Sequence, residues 1–296
     1  MSRDLDERLH AAAALELDAL DDLDDLVDLG CELAKVGRLS DAEACFRRAS
    51  DLGSSTASFN LGNCLAEQER WLEAVAAYEV ALGRGESDAW LNLGLVLHDL
   101  GDLAGEIRAY QAAEAAGDSG GALGLAFALR EQGDRNAAME AALRSAAAGN
   151  DTGAAVVACW QWCTSLDPAL EPALRAGADH FPSARADLGH LLVDTGRIKE
   201  AREVFERGMK LGEVESMLPL GNLYADVLDD EQAAEGAYRA AAALGDAHSH
   251  HNLAVLLEEQ GDLAGAEHHY RAAVDGGDSL AKRALWDLRG DDGSAC

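Results

Sequence analysis

The chain has 296 residues, with 54 Asp and Glu against 24 Lys and Arg and a formal net charge of −30. Such a field repels nucleic-acid phosphates and anionic membrane surfaces and favours a basic partner. No apolar run approaches the roughly 18 residues of a membrane span, and the acidic opening (Asp4, Asp6, Glu7) is no secretion leader, so a cytoplasmic protein with no membrane and no nucleic-acid partner is expected.

Residues 1–22 read as an acidic capping helix, with Leu5, Leu9, Ala12, Leu15 and Leu20 on one face. From Leu23 a ruler takes over. Leu29-Gly30, Leu61-Gly62, Leu93-Gly94, Leu125-Ala126, Leu188-Gly189, Leu220-Gly221 and Leu253-Ala254 recur at 32 residues or its multiples, within one residue. A period of this size marks one supersecondary unit stacked many times. In the unit around Leu93, Trp90, Leu93, Gly94 and Leu97 share a helix face, and Gly101-Asp102 breaks the helix. A second stripe follows at Leu103, Ile107, Tyr110 and Ala113, and Gly117-Asp118 closes the unit. Each period is therefore a helix, a tight turn and a second helix.

The same marks recur elsewhere. A turn glycine comes eight residues after the leucine (Gly37, Gly101, Gly133, Gly196, Gly261), and a small residue at thirteen (Ala42, Ala74, Ala138, Ala201, Ala266). An aromatic comes at seventeen (Phe46, Tyr78, Tyr110, Phe205, Tyr270) and a second glycine at twenty-four. Small residues let helix axes approach, the aromatic fills the wedge between helix pairs, and a glycine after a helix suits a left-handed C-cap. Asp118, Asp246 and Asp278 stand where they can cap the next helix.

Repeats one to four occupy residues 23–150 and repeats six to eight residues 182–278. Residues 151–181 hold a degenerate fifth repeat, one residue short, with Val157-Ala158 in the Leu-Gly slot and Trp160, Trp162, Pro168 and Pro172 inside it. The unit at Leu220 carries one residue too many, and Pro219 predicts a delayed or kinked first helix there. Residues 279–289, with Leu280, Ala284, Leu285 and Leu288, read as a C-terminal capping helix, and residues 290–296 as a disordered tail. The six cysteines form no Cys-x-x-Cys pair and read as reduced, mostly buried thiols.

The pattern Trp90-Leu93-Gly94-Leu97-Gly101-Tyr110-Ala113 resembles the tetratricopeptide repeat. It departs from that family in its 32-residue unit and in ending on Gly-Asp where the family has Asp-Pro, an ending that looks like the related Sel-like repeat. The resemblance implies an all-α fold: a right-handed α-solenoid of about eight antiparallel helix pairs, with capping helices at both ends. It also implies a groove lined by the first helix of each unit, and a protein or peptide partner. Carried onto this sequence, that groove contains Phe59, Asn60, Asn63, Leu91, Asn92, Leu95, Leu123 and Phe127, with acidic edges at Glu67, Asp99 and Glu131, and in the second half Ala186, His190, Leu218, Asn222, His251 and Val255. The family's clamp for a terminal carboxylate needs basic residues that are missing here. Trp160 and Trp162 point about 200° apart on a helix, which leaves Trp162 as a candidate exposed anchor.

Five of nine histidines fall in the last full repeat: His248, His250, His251, His268 and His269. No metal and no cofactor is expected; were a metal bound there, His248, His251 and His268 would hold it. No catalytic constellation stands out, so the chain reads as a non-catalytic binding scaffold rather than an enzyme. A second reading is a sensor responding to a small peptide, pH or a metal ion at the histidine-rich repeat, with a shape change between about pH 5.5 and 7.5. Nothing in the sequence speaks to oligomeric state.

Overall fold

Paired apolar stripes separated by Gly-Asp turns become paired helices. The computed structural model describes residues 22–289, which contain helices and turns and no strand. Repeat one pairs α1 (Leu23–Lys35) with α2 (Leu39–Asp51), and repeat two pairs α3 (Ser55–Glu67) with α4 (Trp71–Gly83). Repeat three pairs α5 (Ala89–Asp99) with α6 (Leu103–Ala115), and repeat four α7 (Gly121–Gln132) with α8 (Arg135–Ala147). The fifth has the long α9 (Asp151–Ser165), a 3-10 turn over Pro168–Leu170 and the short α10 (Glu171–Gly177). Then come α11 (Pro182–Asp194) with α12 (Ile198–Lys210), α13 (Val214–Asn222) with α14 (Glu231–Ala243), α15 (Ala247–Glu259) with α16 (Leu263–Asp275), and α17 (Ser279–Leu288). The expected helix before residue 22 and tail after residue 289 lie outside the described residues.

Two compact units divide the chain, the first ending at Gly153 and the second beginning at Ala154, inside α9. In the first unit each helix from α1 to α8 packs on the next, and the first helices of successive repeats also touch: α1 with α3, α3 with α5, α5 with α7. In the second unit α11 through α17 pack in sequence, and α11 also touches α13. Each unit is thus an all-α solenoid segment of stacked helix pairs.

The recurring residues carry that stacking. All seven ruler leucines are buried, from Leu29 to Leu253, as are Phe46, Tyr78, Tyr110, Phe205, Tyr238 and Tyr270. Each aromatic lies across the glycine of its own ruler pair: a Cβ on Gly30, Gly62, Gly94, Gly189 or Gly221 would overlap the ring of Phe46, Tyr78, Tyr110, Phe205 or Tyr238. Tyr110 is wedged from the other side too, its ring 2.7 Å from where a Cβ on Gly124 of the next repeat would sit. The turn glycines answer to a different requirement. Gly101 (φ 72°) and Gly117 (φ 90°) have open space around them and are needed only for the left-handed backbone. Where the ruler lacks its turn glycine, an ordinary residue is held there instead: Glu69 (φ 57°), Leu166 (φ 49°) and Asp229 (φ 54°).

Repeat seven absorbs its extra residue in a π turn, Leu223–Val227, where the Leu228 N–H reaches the Leu223 carbonyl. The ring of Tyr238 still lands on Gly221, so the insertion is confined to one turn. Pro219 neither delays nor ends its helix: α13 starts at Val214 and runs through it. The proline removes a single N–H from the ladder, and the departure from α geometry comes one turn later. In α17 Ala281, not Leu280, takes the buried position; Leu280 faces solvent, and Ala284, Leu285 and Leu288 pack on the core.

Part of the acidity has a local use. Asp102, Asp134, Asp230, Asp246, Asp262 and Asp278 each accept backbone N–H bonds at the start of a helix, where the helix dipole also favours a negative charge. Asp118 instead bonds the Gly120 N–H at 2.7 Å, within the turn before α7. Cys45, Cys64 and Cys159 are buried free thiols, Cys163 is exposed, and burial pushes the Cys45 thiol up to about 11.

Candidate functional site

In the first unit the face built by α3, α5 and α7 collects the residues expected to line a groove. Their environments differ. Phe59 is half-buried against Tyr78, ring centroids 6.2 Å apart. Leu91 is half-buried, its methyl carbons within about 3.2 Å of where a Cβ on Gly120 would sit, so it serves the α5–α7 contact. Leu123 is half-buried as well. Leu95 and Phe127 are the exposed members, 53% and 41% accessible, at the same register position of adjacent repeats. Glu67, Asp99 and Glu131 are exposed at their edges.

The asparagines form a ladder between repeats. Asn63 Oδ1 accepts from the Tyr78 hydroxyl at 2.8 Å and from Asn92 Nδ2 at 2.7 Å. Asn60 Nδ2 contacts Cys31 Sγ at 3.6 Å. The ladder uses one end of each amide and holds α3, α4 and α5 in register.

Trp162 does not belong to this surface. It is 4% exposed and Trp160 8%. Two tryptophans 200° apart leave one in solvent only when a helix is covered on one side. Here Ala155, Val156, Ala158, Cys159, Trp160 and Trp162 are all buried, which takes up most of the circumference of α9.

The second unit repeats the ladder, with Asn222 at an expected groove position and Asn252 at one to which the sequence assigned no role. Asn222 Oδ1 accepts from the Tyr238 hydroxyl at 2.8 Å and from Asn252 Nδ2 at 2.9 Å. A pocket of about 380 Å³ lies over it, lined by Asn222, Asp226, His251, Asn252, Val255 and Glu259 among others. Asn63 and Asn222 both lie two residues beyond their ruler leucine, and Asn92 and Asn252 one residue before theirs, which is the signal that could have added Asn252.

The histidines of the last repeat form two groups rather than the expected set. His248 and His251 turn their Nδ1 atoms to Asp278 Oδ2, at 3.7 and 2.9 Å. His268 instead lies edge-on to His269, and His250 Nδ1 meets His269 Nδ1 at 2.9 Å, so one of that pair donates and the other accepts. The two groups part by the side of α15 they occupy: His250 lies between His248 and His251 in the chain but meets α16, whereas the other two meet Asp278 at the start of α17. Burial, with His250 and His268 close by, pushes His269 down to about 4; burial and His268 lower His250 too. Burial works against the Asp278 carboxylate, but the Ala281 and Leu280 N–H groups and His251 outweigh it and hold its pKa below the usual range.

Three tetratricopeptide repeat family models match the chain: one over residues 27–89 and 81–122, one over 182–211 and one over 247–276. No curated protein matches. Among solved structures, the APC/C hetero-tetramer Cut9–Hcn1 aligns with 96% of this chain and 59% of its own at 16% identity, TM-score 0.61. A Sel1 repeat protein from Oxalobacter formigenes aligns with 72% of this chain and 99% of its own at 21% identity, TM-score 0.58. These likenesses are of fold. Repeat arrays of this kind are in general non-catalytic protein-interaction scaffolds, and among the described residues no helix is long and apolar enough to cross a membrane. The chain belongs to the tetratricopeptide repeat proteins.

Proposed function

We propose that the chain is a non-catalytic scaffold that holds an extended segment of a protein partner along the α3–α5–α7 face of its first unit. The observation that carries this reading is the pair of exposed apolar side chains, Leu95 and Phe127, at one register position of adjacent repeats. Large apolar residues exposed in register, beside amides that can bond a backbone, suit a partner with apolar anchors. The flanking Glu67, Asp99 and Glu131, and the net charge of −30, favour basic residues beside those anchors. The partner segment is thus apolar at two anchor points and basic around them.

The experiment compares the intact protein with a Leu95→Glu, Phe127→Glu variant as bait for partners from source lysate, followed by a binding isotherm with the segment recovered. Both positions are exposed, so the variant should keep its circular dichroism and melting profile while affinity falls by at least about 2 kcal/mol. Rising salt should weaken the wild-type complex. Unchanged binding by a folded variant moves the site off this face.

A further inference from the structure

We propose that His98, Glu106 and Glu131 form a divalent-metal site of the zinc class, joining repeat three to repeat four. The site departs from the repeat pattern at one residue. The small-residue position after the turn is Ala42, Ala74, Ala138, Ala201, Ala234 and Ala266 in six other repeats, each fully buried. In repeat three it is Glu106, whose side chain is 5% exposed. A buried carboxylate is costly unless it is paired or coordinates a metal. The ion-pair contact of Glu106 is to His98, not to an arginine or lysine.

The spacing is that of ligands to a common ion. His98, near the end of α5, and Glu106, in the first turn of α6, meet across the Gly101-Asp102 turn; Glu131 comes from the end of α7. His98 Nδ1 stands 3.3 Å from each oxygen of Glu106 and 3.8 Å from Glu131 Oε2. One ligand atom from each residue lies within 4.8 Å of the others. The His98–Glu106 hydrogen bond is at the long end for N–H···O, and tetrahedral zinc with bonds of about 2.0–2.2 Å holds its ligand atoms at a matching separation of about 3.3 Å. A simple His98–Glu106 ion pair also leaves unexplained a second carboxylate brought to the same nitrogen. One imidazole and two carboxylates are an ordinary donor set for zinc and its first-row neighbours. His98 and Glu131 are more than half exposed, so they can swing to close the last few tenths of an ångström. The remaining coordination position faces solvent, as in an open rather than a purely structural site.

The test is a titration of the full chain with zinc chloride at about pH 7.5, followed by calorimetry and, with cobalt in its place, by visible absorption. The wild type should bind one tight equivalent with a four- or five-coordinate cobalt spectrum. Glu106→Ala and His98→Gln should each weaken binding by about tenfold or more. Glu106→Ala installs the residue the other repeats carry, so its metal-free melting point should equal or exceed that of the wild type. A His250→Gln, His269→Gln variant should bind as the wild type does. No heat and no cobalt spectrum from the wild type would overturn the proposal. So would full binding by Glu106→Ala, which would place the metal elsewhere and leave His98 and Glu106 as an ion pair.

Discussion

Asn63 with Tyr78 and Asn92 in the first unit, and Asn222 with Tyr238 and Asn252 in the second, are the same device at the same register. What surrounds them differs. In the first unit Leu95, in the same helix as Asn92, and its register counterpart Phe127 are exposed; the second ladder lies under a pocket with His251, Asp226 and Glu259. The scaffold reuses its joint, and the positions beside the joint decide the chemistry. The units also differ in regularity. Repeats one to four keep the 32-residue period, whereas the second unit contains a seven-residue second helix in repeat five and the π turn in repeat seven.

The largest expected effect tests whether the joints are equivalent. Tyr78→Ala and Tyr238→Ala each remove a buried wedge and should cost about 3–5 kcal/mol, read as lost hydrogen-exchange protection in the unit concerned. A markedly smaller loss at Tyr238 would show that the π turn lets its repeat collapse around the gap. Tyr78→Phe and Tyr238→Phe keep the ring and remove one of the two hydrogen bonds that the asparagine carbonyl accepts, so about 1 kcal/mol is expected from each.

Acid should separate the units. His269 titrates near 4 in the folded chain against an ordinary 6.5, and His250 is lowered in the same direction. Below pH 6.5 the unfolded chain therefore binds more protons than the folded one, and the stability from keeping these rings neutral is lost as pH falls from 6.5 toward 4. Asp246 and Asp262 oppose the shift, and His268 and Arg239 reinforce it. The last repeat should lose exchange protection at pH 5 before repeats one to four do, and His269→Gln should flatten that dependence. Simultaneous loss in both units would break this part of the comparison. The window reaches lower than the 5.5–7.5 that the sequence alone suggested, because burial moves the rings down.

A smaller effect concerns the turns. Glu69→Gly, Leu166→Gly and Asp229→Gly each relieve a left-handed backbone and should raise stability by about 0.5–1 kcal/mol, while Gly101→Ala should lower it by a similar amount. Thermal melts would decide; a loss on Glu69→Gly would mean its side chain has a contact worth more than the strain.

Much of this was legible in the chain because a repeat prints its packing rules several times over. Leu93, Gly94, Gly101 and Tyr110 each appear with counterparts at fixed distances, so their roles could be read by comparison within one sequence. Glu106 is a blank in the small-residue column of that pattern; periodicity reports only what recurs, and the exception acquires its partners, His98 and Glu131, through the fold. Trp162 failed for the opposite reason: repeat five is irregular, and a helical wheel cannot say how many sides of α9 are covered.

The sequence by itself determined the helix-pair unit, its turns and the buried leucine and aromatic at each level, because these depend on residues less than one repeat apart. Only tertiary structure decided which half-apolar positions are spent on neighbours, as Phe59 and Leu91 are, and which remain exposed, as Leu95 and Phe127 do. It also decided that the histidines divide into two groups and that a buried glutamate meets a histidine across a turn. Exposure and convergence belong to side chains from different helices, and their distances are set by packing, which no single period records.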